Sequence, residues 1–238
     1  MDTQYVTRLE ERVHSTQDLA RSLFDAGTGI PVLAIAHKQD GGRGRMHNVW
    51  WSSPRAMMAS IALTLPAREG VTLAPLLAGL AVHDAIDSQV GIHTELKWPN
   101  DVMLGEAKVG GILAEVTGET LVVGCGINLW WPEAPAGAVG LLDHDPGKHV
   151  AEELAHDWAP RLLAAVGGLP ASFSKARYLE ICSTLGRNIT WQPDGAGRAI
   201  GITADGGLIV ETAEGQATIR SGEVSHVRPA TIVPNETP

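Results

Sequence analysis

The chain has 238 residues, 44% of them apolar and 19% charged, enough for one large domain, or for one domain with a small appendage, and for a core that needs no metal or disulfide staples. Its 18 Lys+Arg against 27 Asp+Glu leave a net charge of −9, which argues against a nucleic-acid binder, because such affinity comes from neutralised phosphates. No unbroken apolar run approaches the roughly 18 residues of a membrane span and the first residues lack a signal-peptide pattern, so the chain reads as soluble and cytoplasmic, with neither nucleic acid nor membrane as partner.

Ser15-Thr16-Gln17-Asp18 reads as a helix start, with Leu19, Leu23 and Phe24 at helical spacing until Gly27. Ile30–Ala36 is a short apolar strand, and residues 38–53 form a polar, glycine-rich loop. Met57–Leu65 is a strand, and Leu73–Val90 repeats apolar residues at i, i+3 and i+4, a long helix. Short strands follow around Leu96 and at Val102–Leu104, Val109–Val116 and Leu121–Leu129. A helical stretch from about His149 to Leu185 is expected to break at Pro160 and again at Gly167-Gly168-Leu169-Pro170. After Gly186 five short β-type segments alternate with Asp-Gly and Glu-Gly turns, the pattern of a small β-barrel. The expected organisation is α+β, with a catalytic domain over 1–185 and an SH3-like barrel over 186–238.

Three stretches carry chemistry. Gln39-Asp40-Gly41-Gly42-Arg43-Gly44-Arg45 combines bare backbone with planar cationic donors, and Lys38, Arg43, Arg45 and Arg55 face only Asp40 within residues 37–55. Such a cationic loop on an acidic chain suits a small anion, while a solvated flexible loop is the plain alternative. It completes neither a Walker A loop nor a dinucleotide fingerprint. Lys97-Trp98-Pro99-Asn100-Asp101, with Lys108 and Gly110-Gly111 beyond it, puts two cations near one carboxylate; a hairpin turn with a buried Trp98 would look the same. Gly124-Cys125-Gly126-Ile127-Asn128 ends an apolar strand and bares backbone on one face, for a ligand or for a bulge. The two cysteines, Cys125 and Cys182, lack metal-ligand spacing and fit a reducing compartment.

In this order and spacing, Gly-Arg-Gly-Arg, Trp50, Lys-Trp-Pro-Asn-Asp, Lys-x-Gly-Gly-Ile-Leu-x-Glu and Gly-x-Gly-Ile-Asn resemble the biotin protein ligases from Val13 to Arg228. The resemblance implies a class II synthetase-like catalytic domain of the biotin/lipoate ligase kind. It also implies an ATP-dependent ligase that makes biotinyl-5′-AMP and transfers biotin to a lysine of the biotin carboxyl carrier domain of an acyl-CoA carboxylase, with ATP, Mg²⁺ and biotin as cofactor and substrates. Ser15 and Thr16 would bond the ureido ring beside Gln39. Gly42, Arg43 and Arg45 would close over biotin and adenylate, with Arg45 toward the phosphate. Lys108 would hold the reacting carboxylate and α-phosphate, and Gly111 and Gly124 would line the biotin floor. Trp50, Lys97 and Asn128 would serve the nucleotide, Asn128 also Mg²⁺ indirectly. Asp101 would orient or deprotonate the acceptor lysine, and Glu223 would lie in the stretch near the nucleotide.

The chemistry is self-consistent, since a carboxylate and a triphosphate repel until converging cations offset their charges. The sequence departs from the family pattern at Met46-His47-Asn48-Val49, where the family carries a further Gly-Arg, and at His14 and Gln17 on either side of Ser15-Thr16. Ser15 comes too early for an N-terminal DNA-binding domain, so a short form, monomeric or a weak homodimer and without repressor function, is expected. A lipoate or octanoate transferase and a non-catalytic biotin sensor are the alternatives.

Overall fold

The computed structural model describes residues 4–27, 29–66, 68–220, 222 and 224–226; Glu223 therefore lies outside the described residues. Contacts divide the chain into two compact units between Ser183 and Thr184.

The first unit contains β1 (Val6–Glu10), α1 (Thr16–Asp25), β2 (Val32–Ala36), β3 (Arg55–Thr64), α2 (Ala74–Val90), β4 (Glu95–Lys97), β5 (Asp101–Leu104), β6 (Ala107–Thr117), β7 (Thr120–Trp130), α3 (Lys148–Gly167) and α4 (Lys175–Ile181). Its seven strands form one sheet in the order β1-β2-β3-β7-β6-β5-β4. Only β1 and β2 run parallel; every other pair is antiparallel. The fold is thus mixed α+β. Alternation of side chains along the strands sorts the sheet into two faces. Val32, Ala34, Ala62 and Val122 meet Ala20 and Phe24 of α1. Leu33, Ile35 and Ile61 therefore point to the opposite face, where α2 and α3 pack. On the α1 side the helix covers β2, β3 and β7, and past its edge the sheet surface is built from glycine.

Two elements differ from expectation. β1 carries no alternation, because four of its five residues are exposed on a sheet edge, and only the parallel ladder to β2 reveals it. α3 runs unbroken through Pro160. Proline costs a helix interior about 3 kcal/mol, and here the buried stripe of Ala151, Leu154, Ala155, Trp158, Ala159, Leu162, Leu163 and Val166 offsets it.

Val71–Val90 is a 20-residue helical stretch with the length and composition of a span. Its core, α2, packs on β4–β7 and alongside α3, with Leu76, Leu77, Val82, Ala85 and Ile86 buried, which is why it is apolar nearly all round.

The second unit holds β8 (Asn188–Trp191), β9 (Gly195–Ile202), β10 (Leu208–Thr212), β11 (Gly215–Ile219) and β12 (Val224–His226). They form an antiparallel sheet in the order β11-β10-β9-β8-β12, closing over Ile189, Ala199, Ile202, Leu208, Val210 and Val224.

Candidate active site

Past the edge of α1, a polar knot joins helix, loop and sheet. Ser15 occupies the N-cap position of α1 without its side chain capping the helix. The Thr16 backbone N–H donates to Gln39 Oε1 at 2.7 Å and its hydroxyl reaches the same oxygen at 3.2 Å. That hydroxyl also shares a proton with Ser60 Oγ at 2.8 Å, Ser60 being fully buried in the middle of β3. Gln17 lies across Gly124, where a Cβ would come within 3.1 Å of its amide, and donates from Nε2 to the Leu113 carbonyl.

Further along the same face, Gly111 of β6 pairs in register with Gly126 of β7, giving a patch of bare backbone. The Trp50 indole lies on it: a Cβ on Gly126 would stand 2.7 Å from the ring and one on Gly111 3.4 Å. The Trp50 N–H of the backbone donates to the Gly42 carbonyl at 2.9 Å, and the indole Nε1 is buried without a hydrogen-bond partner. Lys108 shares this patch for a reason that spacing hides. Residues three apart on a strand face opposite ways, but the β5–β6 register slips between Val102 and Met103, so that Gly110 and Lys108 become consecutive partners. The bulge at Val109 turns Lys108 onto the Gly111 face. Lys108 Nζ meets Asp101 Oδ1 at 2.5 Å, while its backbone bonds Gly137 and Val139 beyond β7. The Lys97-Trp98-Pro99-Asn100-Asp101 hairpin buries Trp98 and is braced by Asn100, which exchanges bonds with Ile112 at 2.9 Å and accepts from Arg45 Nη1 at 3.2 Å.

The arginines of the cationic loop find carboxylates from outside residues 37–55. Arg43 makes a two-pronged bond to Asp18 of α1 at 2.7 and 2.8 Å, with Glu115 at 3.8 Å. These bonds hold the Asp18 carboxyl below, and the Arg43 guanidinium above, their ordinary ranges. Arg55 does the same with Asp145, whose carboxyl is lowered to about 2 by that pair and then by the Gly147 N–H. The carboxylates come from distant parts of the sequence, so a local charge count misses them.

The nucleotide candidates are spread out. Lys97 lines a narrow cleft with Pro75, Gly79, Asn100 and Tyr178. Asn128 is buried and its amide oxygen accepts from the Ser53 N–H at 3.3 Å. Beyond the same strand, Trp130, Trp131, Val139, Leu141 and Asp143 line a groove of about 310 Å³. Among the described residues no three His, Cys, Asp or Glu side chains gather as for a metal. Cys125 is buried, and burial pushes its thiol well up, as suits packing. Ser60, Asn100 and Gly126 join the site without having been singled out as site residues. Asn100 and Gly126 lay inside quoted motifs; Ser60 has no local signal.

Residues 9–129 match the biotin/lipoate A/B protein ligase family, and residues 184–227 match the biotin protein ligase C terminal domain. The chain belongs to the biotin/lipoate A/B protein ligase family. As an enzyme of this family it is 31% identical over 212 residues to the biotin–[acetyl-CoA-carboxylase] ligase of Mycobacterium tuberculosis, covering 83% of this chain and 79% of that one. It is 30% identical over 230 residues to the bifunctional ligase/repressor BirA of Bacillus subtilis, covering 88% and 70%. The Aquifex aeolicus biotin protein ligase in complex with biotin and ATP superposes with a TM-score of 0.74 at 28% identity, over 94% of this chain and 99% of that one. The first matched segment of this ligase contains every candidate residue from Ser15 to Asn128.

Proposed function

We propose that this ligase activates biotin with ATP and transfers it to one lysine of a biotin carboxyl carrier domain of a carboxylase. The observation that carries the reading is the approach of Lys108 and Asp101 over the bare Gly111–Gly126 backbone, in one face with the Thr16–Gln39–Ser60 knot. The name of the Mycobacterium relative and the biotin and ATP held by the Aquifex structure support the choice of substrates.

Ser15, Thr16 and Gln39 supply donors and acceptors for the ureido ring at the inner end, and Gly124 and Gly111, over which Gln17 and Trp50 lie, form the floor for the bicycle. The biotin carboxylate then attacks the α-phosphate of ATP; a P–O bond forms, the bond to the β-phosphate oxygen breaks, and pyrophosphate leaves. Lys108 and Arg45 offset the charge gathering there. Mg²⁺ would be held by the ATP phosphates as part of the substrate, where it would offset their charge. Trp50, Lys97 and Asn128 act on the nucleotide side. Gly42, Arg43 and Arg45 form a lid that keeps water from the mixed anhydride. In the second step a neutral lysine amine attacks the biotinyl carbonyl and AMP departs. Asp101 orients that amine or takes its proton. Residues 1–185 constitute the catalytic domain and 186–238 an SH3-like appendage in this reading. The ligase role alone is proposed, a net charge of −9 disfavouring operator binding.

Incubation with biotin and Mg-ATP should yield biotinyl-5′-AMP and pyrophosphate, with octanoate as control acid. Adding a carrier domain should consume the adenylate. Product with octanoate but none with biotin would shift the assignment to an octanoate or lipoate transferase, and biotin binding without product would leave a sensor.

A further inference from the structure

We propose that Asp18 is a positioning residue of this enzyme, which latches the 42–50 loop over the glycine floor through Arg43. The inference rests on the ligase reading of that floor. The two Arg43–Asp18 bonds, at 2.8 and 2.7 Å, use both Nη groups in a fork on one carboxylate. A guanidinium held so is a tether, and ligand phosphate is left to Arg45 and Lys108. The tether is transmitted by backbone. Arg43 pairs with Val49 across the loop, Gly44 N–H donates to the Asn48 carbonyl at 2.7 Å, and Trp50 N–H donates to Gly42. The loop is thereby a short closed hairpin whose last residue is the indole on Gly126 and Gly111. Val49 and Trp51 on either side of it are exposed; Trp50 and the Arg45–Asn100 bond anchor the loop inward, and Arg43–Asp18 fixes the opposite arm to the first turn of α1.

The charged groups around Asp18 are Arg43, His14 and Arg21, and Glu115 also faces Arg43. Both partners are partly exposed, so the latch shifts the open–closed balance by roughly two- to fivefold, the range of an exposed, well-aligned pair.

The test compares the full-length parent with Asp18→Asn and Asp18→Glu. Hydrogen exchange of the 42–50 amides, read without any ligand, should be about two- to fivefold faster in Asp18→Asn. Free biotinyl-5′-AMP should escape faster by the same factor, while the first-turnover rate of pyrophosphate formation stays within about twofold. Asp18→Glu should recover part of both effects, and 0.5 M NaCl should bring parent and Asp18→Asn together. Unchanged exchange and escape in Asp18→Asn would overturn the latch. So would a loss of pyrophosphate formation as large as the gain in escape, since Asp18 would then act on the chemistry. If the parent forms no adenylate, the ligase reading fails and the exchange arm still decides the latch.

Discussion

Lys108 and Asp101 pair at 2.5 Å across strands that a single bulged residue, Val109, has put out of phase. The pair gives each partner an opposite charge at the rim of the glycine patch, and it leaves the lysine half-exposed to an incoming anion.

Replacing Lys108 by Ala should slow pyrophosphate release by about 10²- to 10³-fold, the loss typical for one preorganised donor to developing charge. The melting temperature should hold, because the side chain is partly exposed and its backbone bonds to Gly137 and Val139 survive. Stopped-flow detection of pyrophosphate beside thermal unfolding checks both halves; a normal rate removes Lys108 from the chemistry.

Gly126 and Gly110 are neighbours in the sheet with opposite obligations. A methyl at Gly126 meets the Trp50 ring at 2.7 Å, so Gly126→Ala should eject the indole, shift its fluorescence to the red and weaken ligand binding with the fold kept. A methyl at Gly110 meets the Gly126 carbonyl at 2.6 Å, which cannot turn aside. Gly110→Ala should therefore cost about 1–3 kcal/mol of stability in urea unfolding.

Thr16→Val deletes the hydroxyl between Ser60 and Gln39. Ser60 is fully buried, and an abandoned buried hydroxyl costs about 1–3 kcal/mol. Urea unfolding should show that loss, and the Thr16→Ser protein should regain most of it.

The Arg55–Asp145 pair ties the start of β3 to the segment before α3. Its carboxyl is depressed to about 2, so its stabilisation is present above the unfolded carboxyl range near 3.9 and fades as the pH falls toward 2. The stability difference between the parent and Asp145→Asn should vanish over that window, measured by denaturant midpoints at stepped pH. A difference constant down to pH 2 would contradict the pairing.

Much of the site could be read from spacing because its parts are backbone features. Glycines at 111, 124 and 126, the Trp-Pro-Asn-Asp hairpin and the Gly-Arg-Gly-Arg loop announce themselves by residue type. What depended on register stayed hidden. The bulge at Val109, which brings Lys108 and Gly111 onto one face, has no mark in the sequence. The same holds for charge, since Arg43 and Arg55 find Asp18 and Asp145 at 25 and 90 residues' separation. The edge strand β1 and the uninterrupted α3 were missed because tertiary pairing outweighed weak local pattern in one and a proline in the other.

The apolar character of α2 also bears on how the chain is made. Emerging from the ribosome, Ala74–Val90 precedes β4 to β7 and α3, the elements that shield it. Until α3 is synthesised this segment stays greasy and uncovered, a target for chaperones and for self-association. A chain halted before residue 148 should accordingly be recovered in the insoluble fraction, whereas one released after α3 is complete has the means to bury its own hazard.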